Sequence, residues 1–105
     1  MIPTPLTPAV FHVLLALVDG PLHGYAIMQA VEEAAGVAMG PGTIYGSLER
    51  MEQAGLVKEL ASGGDDRRRV FVLEAAGRLA LQSEARRVVR LAALVRAKRL
   101  VPREA

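Results

Sequence analysis

The 105 residues include no cysteine and no tryptophan, and the aromatic side chains amount to two Tyr and two Phe. The missing cysteines exclude a disulfide scaffold, a thiolate zinc finger and thiol catalysis. No apolar run is long: the longest, Ala9 to Val18, is ten residues with His12 inside it, whereas a helix crossing a bilayer needs roughly 20. No Lys or Arg precedes Arg50. A secretory signal or transit peptide needs basic residues early, so a soluble, cytoplasmic protein without membrane contact is expected. Walker and dinucleotide glycine patterns are missing too, as is any Ser–His pair at a catalytic spacing. His12 and His23 stand eleven apart with no carboxylate beside them, which does not make a metal site. The expectation is therefore no enzyme, no metal and no cofactor.

What is present suits one small globular domain. Hydrophobic residues are 51% of the chain and charged residues 23%, enough apolar content to bury a core. The net charge of +2 hides an asymmetry: residues 1–66 carry −6 and residues 67–105 carry +8. A solvated basic face and a surface that meets a polyanion both fit that distribution.

Along the chain, Thr7-Pro8 predicts the start of a first helix that runs to Val18, with Thr as cap and Pro at the first helical position. Its apolar residues cover nearly every side, so a neighbour beyond this small chain is expected to cover part of it. Asp19-Gly20-Pro21 is a turn signal. His23-Gly24-Tyr25 leads into a second helix, to about Ala35, ended by Gly36. Gly40-Pro41-Gly42 breaks the chain, and a third helix is predicted over Thr43–Ala54, stopped by Gly55. Ile44, Leu48 and Met51 form its buried stripe. Thr43, Gly46, Ser47 and Arg50 point outward, with Tyr45 and Glu49 at the edges. Leu56–Leu60 and Arg69–Leu73 read as strands of one hairpin around the turn-forming residues 62–66. From Ala75 to Leu100 the pattern is one helix of about 26 residues and roughly 39 Å. Its Leu81, Ala85, Val88, Ala92 and Val95 step by heptads, and Leu91 and Leu94 widen the seam. This helix has no aromatic residue, which argues for a helix-pairing seam over a membrane face.

The second and third helices fit a helix-turn-helix, and the hairpin after them fits a wing. A third helix with small and polar outward residues can enter a major groove, and an arginine-bearing hairpin can lie over phosphates beside it. The fold class is mainly α with a small β-hairpin (α+β), a winged helix-turn-helix followed by a long C-terminal helix. Leu6-Thr7-Pro8, His23-Gly24-Tyr25-Ala26-Ile27, Gly40-Pro41-Gly42-Thr43-Ile44-Tyr45, Leu48-Glu49-Arg50-Met51, Ala54-Gly55-Leu56, Asp66-Arg67-Arg68-Arg69, Phe71-Val72-Leu73 and Gly77-Arg78 occur in this order. Over about residues 6–100 this resembles the PadR family of bacterial transcriptional regulators, in its short branch with a single C-terminal helix.

The resemblance implies a homodimeric regulator, most often a repressor, on a near-palindromic operator in double-stranded DNA. It implies that some members release DNA when a small molecule binds. An apolar effector at the aliphatic dimer seam is the form expected here. Residues 1–73 are then the winged-helix domain and 74–105 a dimerisation helix packed as one unit with it. Carried over by position, the DNA-contact candidates are Tyr25, Gly42, Thr43, Tyr45, Ser47, Arg50, Arg67, Arg68 and Arg69. The dimer-contact candidates are Val10, Leu14, Leu81, Ala85, Val88, Leu91, Ala92 and Val95. Plainer roles stay open: Thr43 as a helix cap, Tyr45 and Tyr25 as packing residues, the three arginines as a solvated hairpin end. Glu49 and Glu52 flank Arg50 on the presumed reading helix. They favour the alternative, a winged-helix module that binds another protein and no specific DNA.

Overall fold

The Thr7 hydroxyl accepts the Val10 N–H at 3.3 Å, and Pro8 fills the first helical position, where its missing N–H would have had no partner. In the computed structural model, which describes residues 6–36, 38–60 and 69–102, this start opens α1, Pro8–Ala16. The helix stops before the expected Val18 because its last bonds tighten: Leu17 donates to both Val13 and Leu14, and Val18 to Leu15. Val10, Val13, Leu14 and Leu17 are buried in the chain's own core, while Leu15 is exposed and Phe11 and His12 are half-buried. Val10 and Leu14 therefore cannot be the outward dimer contacts expected of them. The next two helices, α2 (Gly24–Ala35) and α3 (Pro41–Gln53), already occupy that side, and the open face of α1 is the one with Leu15.

After the turn at Gly20, Leu22–His23 forms a short strand, β1. It pairs antiparallel with β3, Val70–Leu73, through Leu22 opposite Phe71 and His23 opposite Val70. β3 also pairs with β2, Val57–Leu60, so the sheet order is β1-β3-β2. The sequence predicts two of these strands, and at His23 only the entry to a helix. A two-residue strand has no alternation to read; its partner, 47 or more residues away in sequence, is what makes it a strand.

α2 spans Gly24–Ala35, and α3 spans Pro41–Gln53. α3 begins two residues before the expected Thr43, because Pro41 starts the helix after the Gly40 cap instead of breaking it. At the other end Gly55 takes the left-handed conformation (φ 78°). There Gly55 donates to Glu52 and Leu56 to Met51, the paired bonds of a Schellman stop. Phe71 is buried at the centre of the sheet, among Ile27 and Val31 of α2 and Ile44, Leu48 and Met51 of α3 in a single core.

α4 spans Ala75–Ala97, about 34 Å at the usual rise. Its first turns belong to the core. Gly77 is buried where a Cβ would collide with the Leu56 carbonyl oxygen, the same oxygen that accepts the Glu74 N–H at 2.9 Å. Leu81 is buried here as well, which corrects its place among the dimer contacts. Glu84 is buried and paired with Arg87 through two bonds of 2.7 and 2.9 Å. That hydrogen-bonded guanidinium holds the Glu84 carboxyl below the ordinary carboxylate range against the opposing effect of burial, and the Leu6 backbone adds to the lowering. The Glu84 carboxylate thus faces both Arg87 within α4 and the Leu6 backbone ahead of α1. From Val88 to Pro102 every residue is exposed, and the molecule measures 50 × 25 × 22 Å. The helix ends at Ala97, short of the expected Leu100, because Arg99 turns left-handed (φ 57°) and Leu100 donates back to Val95.

Candidate nucleic-acid interface

α3 turns Ile44, Leu48 and Met51 inward. Pro41, Gly42 and Thr43 are exposed in its first turn, and Arg50, Glu49 and Gln53 farther along. Thr43, Gly46, Arg50 and Gln53 recur every three or four residues and so share one outer stripe, with Gly42 at its head. No side chain caps the N-terminus of this helix. The N–H groups of Gly42 and Thr43 precede any residue whose N–H can reach a helical carbonyl, so they point outward at the positive end of the helix dipole. Thr43 is not the cap, since Gly40 holds that position.

Ser47 departs from the expectation. It is 0% exposed, and its Oγ accepts from Arg50 Nη2 at 3.2 Å. It lies one turn after Ile44, on the flank of the buried stripe, where so small a side chain is covered by its neighbours. Ser47 is therefore corrected from a contact residue to a support for Arg50, whose guanidinium it steers along the outer stripe.

Tyr45 is half-buried. Its hydroxyl occupies the space a Cβ would need on the buried Gly24, the first residue of α2. Tyr25, next in sequence, is 57% exposed, and Gln29 Nε2 donates to its hydroxyl at 3.4 Å. The Gly24 N–H donates to the Arg69 carbonyl at 3.0 Å. One corner of the molecule thus gathers the start of α2, the first turns of α3 and the foot of the wing. Gln29 and Gly46 belong to this corner without having been among the contact candidates, and Gln53 extends the outer stripe to the far end of α3. Helical spacing from Tyr25 and Thr43 was the signal that could have found them.

Arg69 is also placed otherwise than expected. It forms a two-bond ion pair with Glu59 at 2.8 and 3.0 Å. Its guanidinium carbon lies 5.7 Å from the Tyr45 ring centre and 5.3 Å from that of Phe71, within cation–π range. The Arg69 hydrogen bond holds the Glu59 carboxyl below the ordinary carboxylate range. Both partners are used inside the chain. Arg67 and Arg68 lie outside the described residues, and so does the loop between β2 and β3.

On α4, Val88, Leu91 and Val95 are exposed with Ala92 among them, and Ala85 is half-buried. These seam candidates share one open apolar strip. Arg86 and Arg90 are exposed, while Arg87 is drawn into the pair with Glu84. Among the described residues no helix is long and apolar enough to cross a membrane.

Comparison with known proteins agrees with this architecture. Residues 13–83 match the model of the transcriptional regulator PadR-like family. A 37.1 kDa uncharacterised protein of transposon TN4556 from Streptomyces fradiae is 49% identical over 83 residues, 79% of this chain and 24% of that protein. The chain thus spans about a quarter of the length of the curated relative it matches. The crystal structure of a PadR family transcription regulator from Clostridium difficile R20291 superimposes with a TM-score of 0.76 at 22% identity, covering 87% of this chain and 97% of that one. Bacillus subtilis PadR, crystallised with operator DNA, gives a TM-score of 0.58 at 22% identity over 70% of this chain and 44% of its own. With its four helices, its three-stranded sheet and a family match over two thirds of its length, the chain belongs to the PadR-like family of transcriptional regulators, built on a DNA-binding winged-helix fold.

Proposed function

We propose that the chain represses transcription as a homodimer that reads a near-palindromic operator in the cytoplasm. The observation that carries this reading is the corner where the uncapped, exposed first turn of α3 stands beside Tyr25 and the foot of the wing. Backbone N–H groups at such a helix start suit a phosphate, and the Tyr25 hydroxyl suits another. Gly46, with no side chain, lets the outer stripe approach base edges, and Arg50 is the donor placed to reach them. The operator complex of the Bacillus subtilis relative supports the same use of the fold.

Dimerisation is proposed through the exposed strip Val88, Leu91, Ala92 and Val95 on α4, with the open face of α1 at Leu15 as the surface it meets. Residues 1–73 serve as the DNA-binding unit and 74–105 as the dimerising one. An apolar effector would fit between two such aliphatic strips. Arg67 and Arg68 are kept as phosphate contacts on charge alone.

Fluorescence anisotropy with DNA from upstream of the chain's own gene, against a scrambled duplex of equal length, tests the reading. A regulator should prefer its operator by about 10³-fold or more, with affinity falling steeply as salt rises. Equal binding near about 10⁻⁴–10⁻⁶ M to both duplexes would favour the protein-binding module instead, for which the exposed Glu49 and Glu52 speak.

A further inference from the structure

The wing of a winged helix is useful only if its angle to the reading helix is fixed. The two-residue pairing of β1 with β3 and the burial of Phe71 hold the inner side of the wing, and a polar side chain adds a joint at its surface. Arg69 stands at the foot of β3 and grips Glu59 of β2 through two parallel bonds, Nε to Oε2 at 3.0 Å and Nη2 to Oε1 at 2.8 Å. The same guanidinium lies over Phe71 of β3 and over Tyr45 of α3. Tyr45 in turn packs its hydroxyl on Gly24 of α2, whose N–H returns to the Arg69 carbonyl. The circuit closes through four elements. Arg69 and Glu59 keep about a third and a quarter of their side-chain surface in solvent, so the pair sits at the surface near the expected DNA, not in the core.

We propose that Arg69 is a positioning residue for operator recognition. With Glu59 and Tyr45 it locks the wing against the reading helix, and it acts through geometry and not by binding a phosphate. The proposal rests on the reading of α3 and the wing as the DNA interface. It explains an acidic residue at the foot of a DNA-binding hairpin: alone, Glu59 would repel phosphates, and paired, it orients the fork of the arginine.

Charge and geometry predict opposite results, which makes the lock testable. Glu59→Gln removes a negative charge and releases a cation, so by charge alone every duplex should bind more tightly. The lock predicts weaker operator binding with unchanged or tighter binding to scrambled DNA, and a specificity ratio down about fivefold, the worth of one such joint. Arg69→Lys keeps the charge and loses the fork, so the ratio should fall by a similar factor. Arg69→Gln in the Glu59→Gln background should cost the ratio less than it does in the wild type, because only the contacts with the Tyr45 and Phe71 rings remain to be lost. The contrary result is a ratio retained in Arg69→Lys, with Arg69→Gln lowering the salt slope by about one for both duplexes. That would make Arg69 an ordinary phosphate contact and overturn the lock.

A DNA-free arm separates this from the functional reading. Amide exchange at Gly24 and along β3 should quicken in Glu59→Gln while the cores of α1 and α3 keep their protection. Unchanged exchange at Gly24 would overturn the lock even if the wild-type protein binds its operator. Quickened exchange in a protein that binds both duplexes equally would keep the joint and discard its use in DNA recognition.

Discussion

Three glycines on two helices illustrate how differently the same residue can be used. A Cβ at Gly46 would meet only the flexible end of Arg50 at 3.7 Å, and one at Gly42 would meet nothing within 4 Å. At Gly77 it would strike the Leu56 backbone. Gly46→Ala should therefore stabilise the protein by about 0.5–1 kcal/mol in urea unfolding while weakening operator binding, because the methyl fills the gap through which α3 approaches the groove. Gly77→Ala should destabilise it by about 1–3 kcal/mol in the same assay. A Gly46→Ala protein that gains stability and keeps full affinity would remove α3's outer stripe from the interface. The outward positions of Thr43, Gly46 and Arg50 were legible from helical spacing. The burial of Ser47 was not, because it sits at the margin of the stripe, where the depth of the neighbouring side chains decides. The pairing of Arg69 was not legible for a related reason. Its partner Glu59 is ten residues away across the hairpin, and three consecutive arginines look alike until a register tells one from the next.

Among the elements, the helices were legible because punctuation marks them: Thr7-Pro8, Gly36 and Gly55 each stand where a start or stop needs that residue, while Pro41, which reads equally as a break, opens α3. β1 was illegible because its identity lies in β3. The end of α4 was missed because Arg99 adopts a conformation that ordinarily calls for glycine. Left-handed backbone costs a non-glycine residue about 1 kcal/mol. Arg99→Gly should thus firm the last turn, seen as slower amide exchange at Arg99 and Leu100, whose N–H groups make the closing bonds. At its other end α4 is anchored by Glu84. The folded carboxyl titrates below its unfolded value, so the anchor is fully present above the unfolded carboxylate pKa of about 4.3. It is lost as pH falls through the lowered folded value. Glu84→Gln should flatten the loss of stability measured by urea unfolding from about pH 5 downward. An acid limb as steep as that of the wild type would mean that the Glu84 carboxylate does not anchor α4.

For the whole molecule the main fact is a helix longer than its domain. The chain covers α4 as far as Leu81 and Glu84 and leaves the strip from Val88 onward in solvent. The heptad steps made this strip legible in the sequence, but not which of its members the chain's own core would claim. Leu91→Lys places a charge in the middle of the strip, far from the core. It should convert a dimer to a monomer in sedimentation equilibrium with the thermal unfolding of each winged-helix unit little changed. Operator affinity should drop by more than tenfold, because one half-site is then bound without the other. A dimer that survives Leu91→Lys would move the subunit contact off α4.

Both the corner on α3 and the pairing of α4 bear on one observable, the pattern left on a duplex. Hydroxyl-radical footprinting of the DNA upstream of the chain's gene should show two protected patches about one helical turn, near 34 Å, apart. They should lie on one face of the helix and be related by a two-fold axis. A single patch, or uniform protection that a scrambled duplex shows equally, would contradict a dimer reading two half-sites with paired α3 helices.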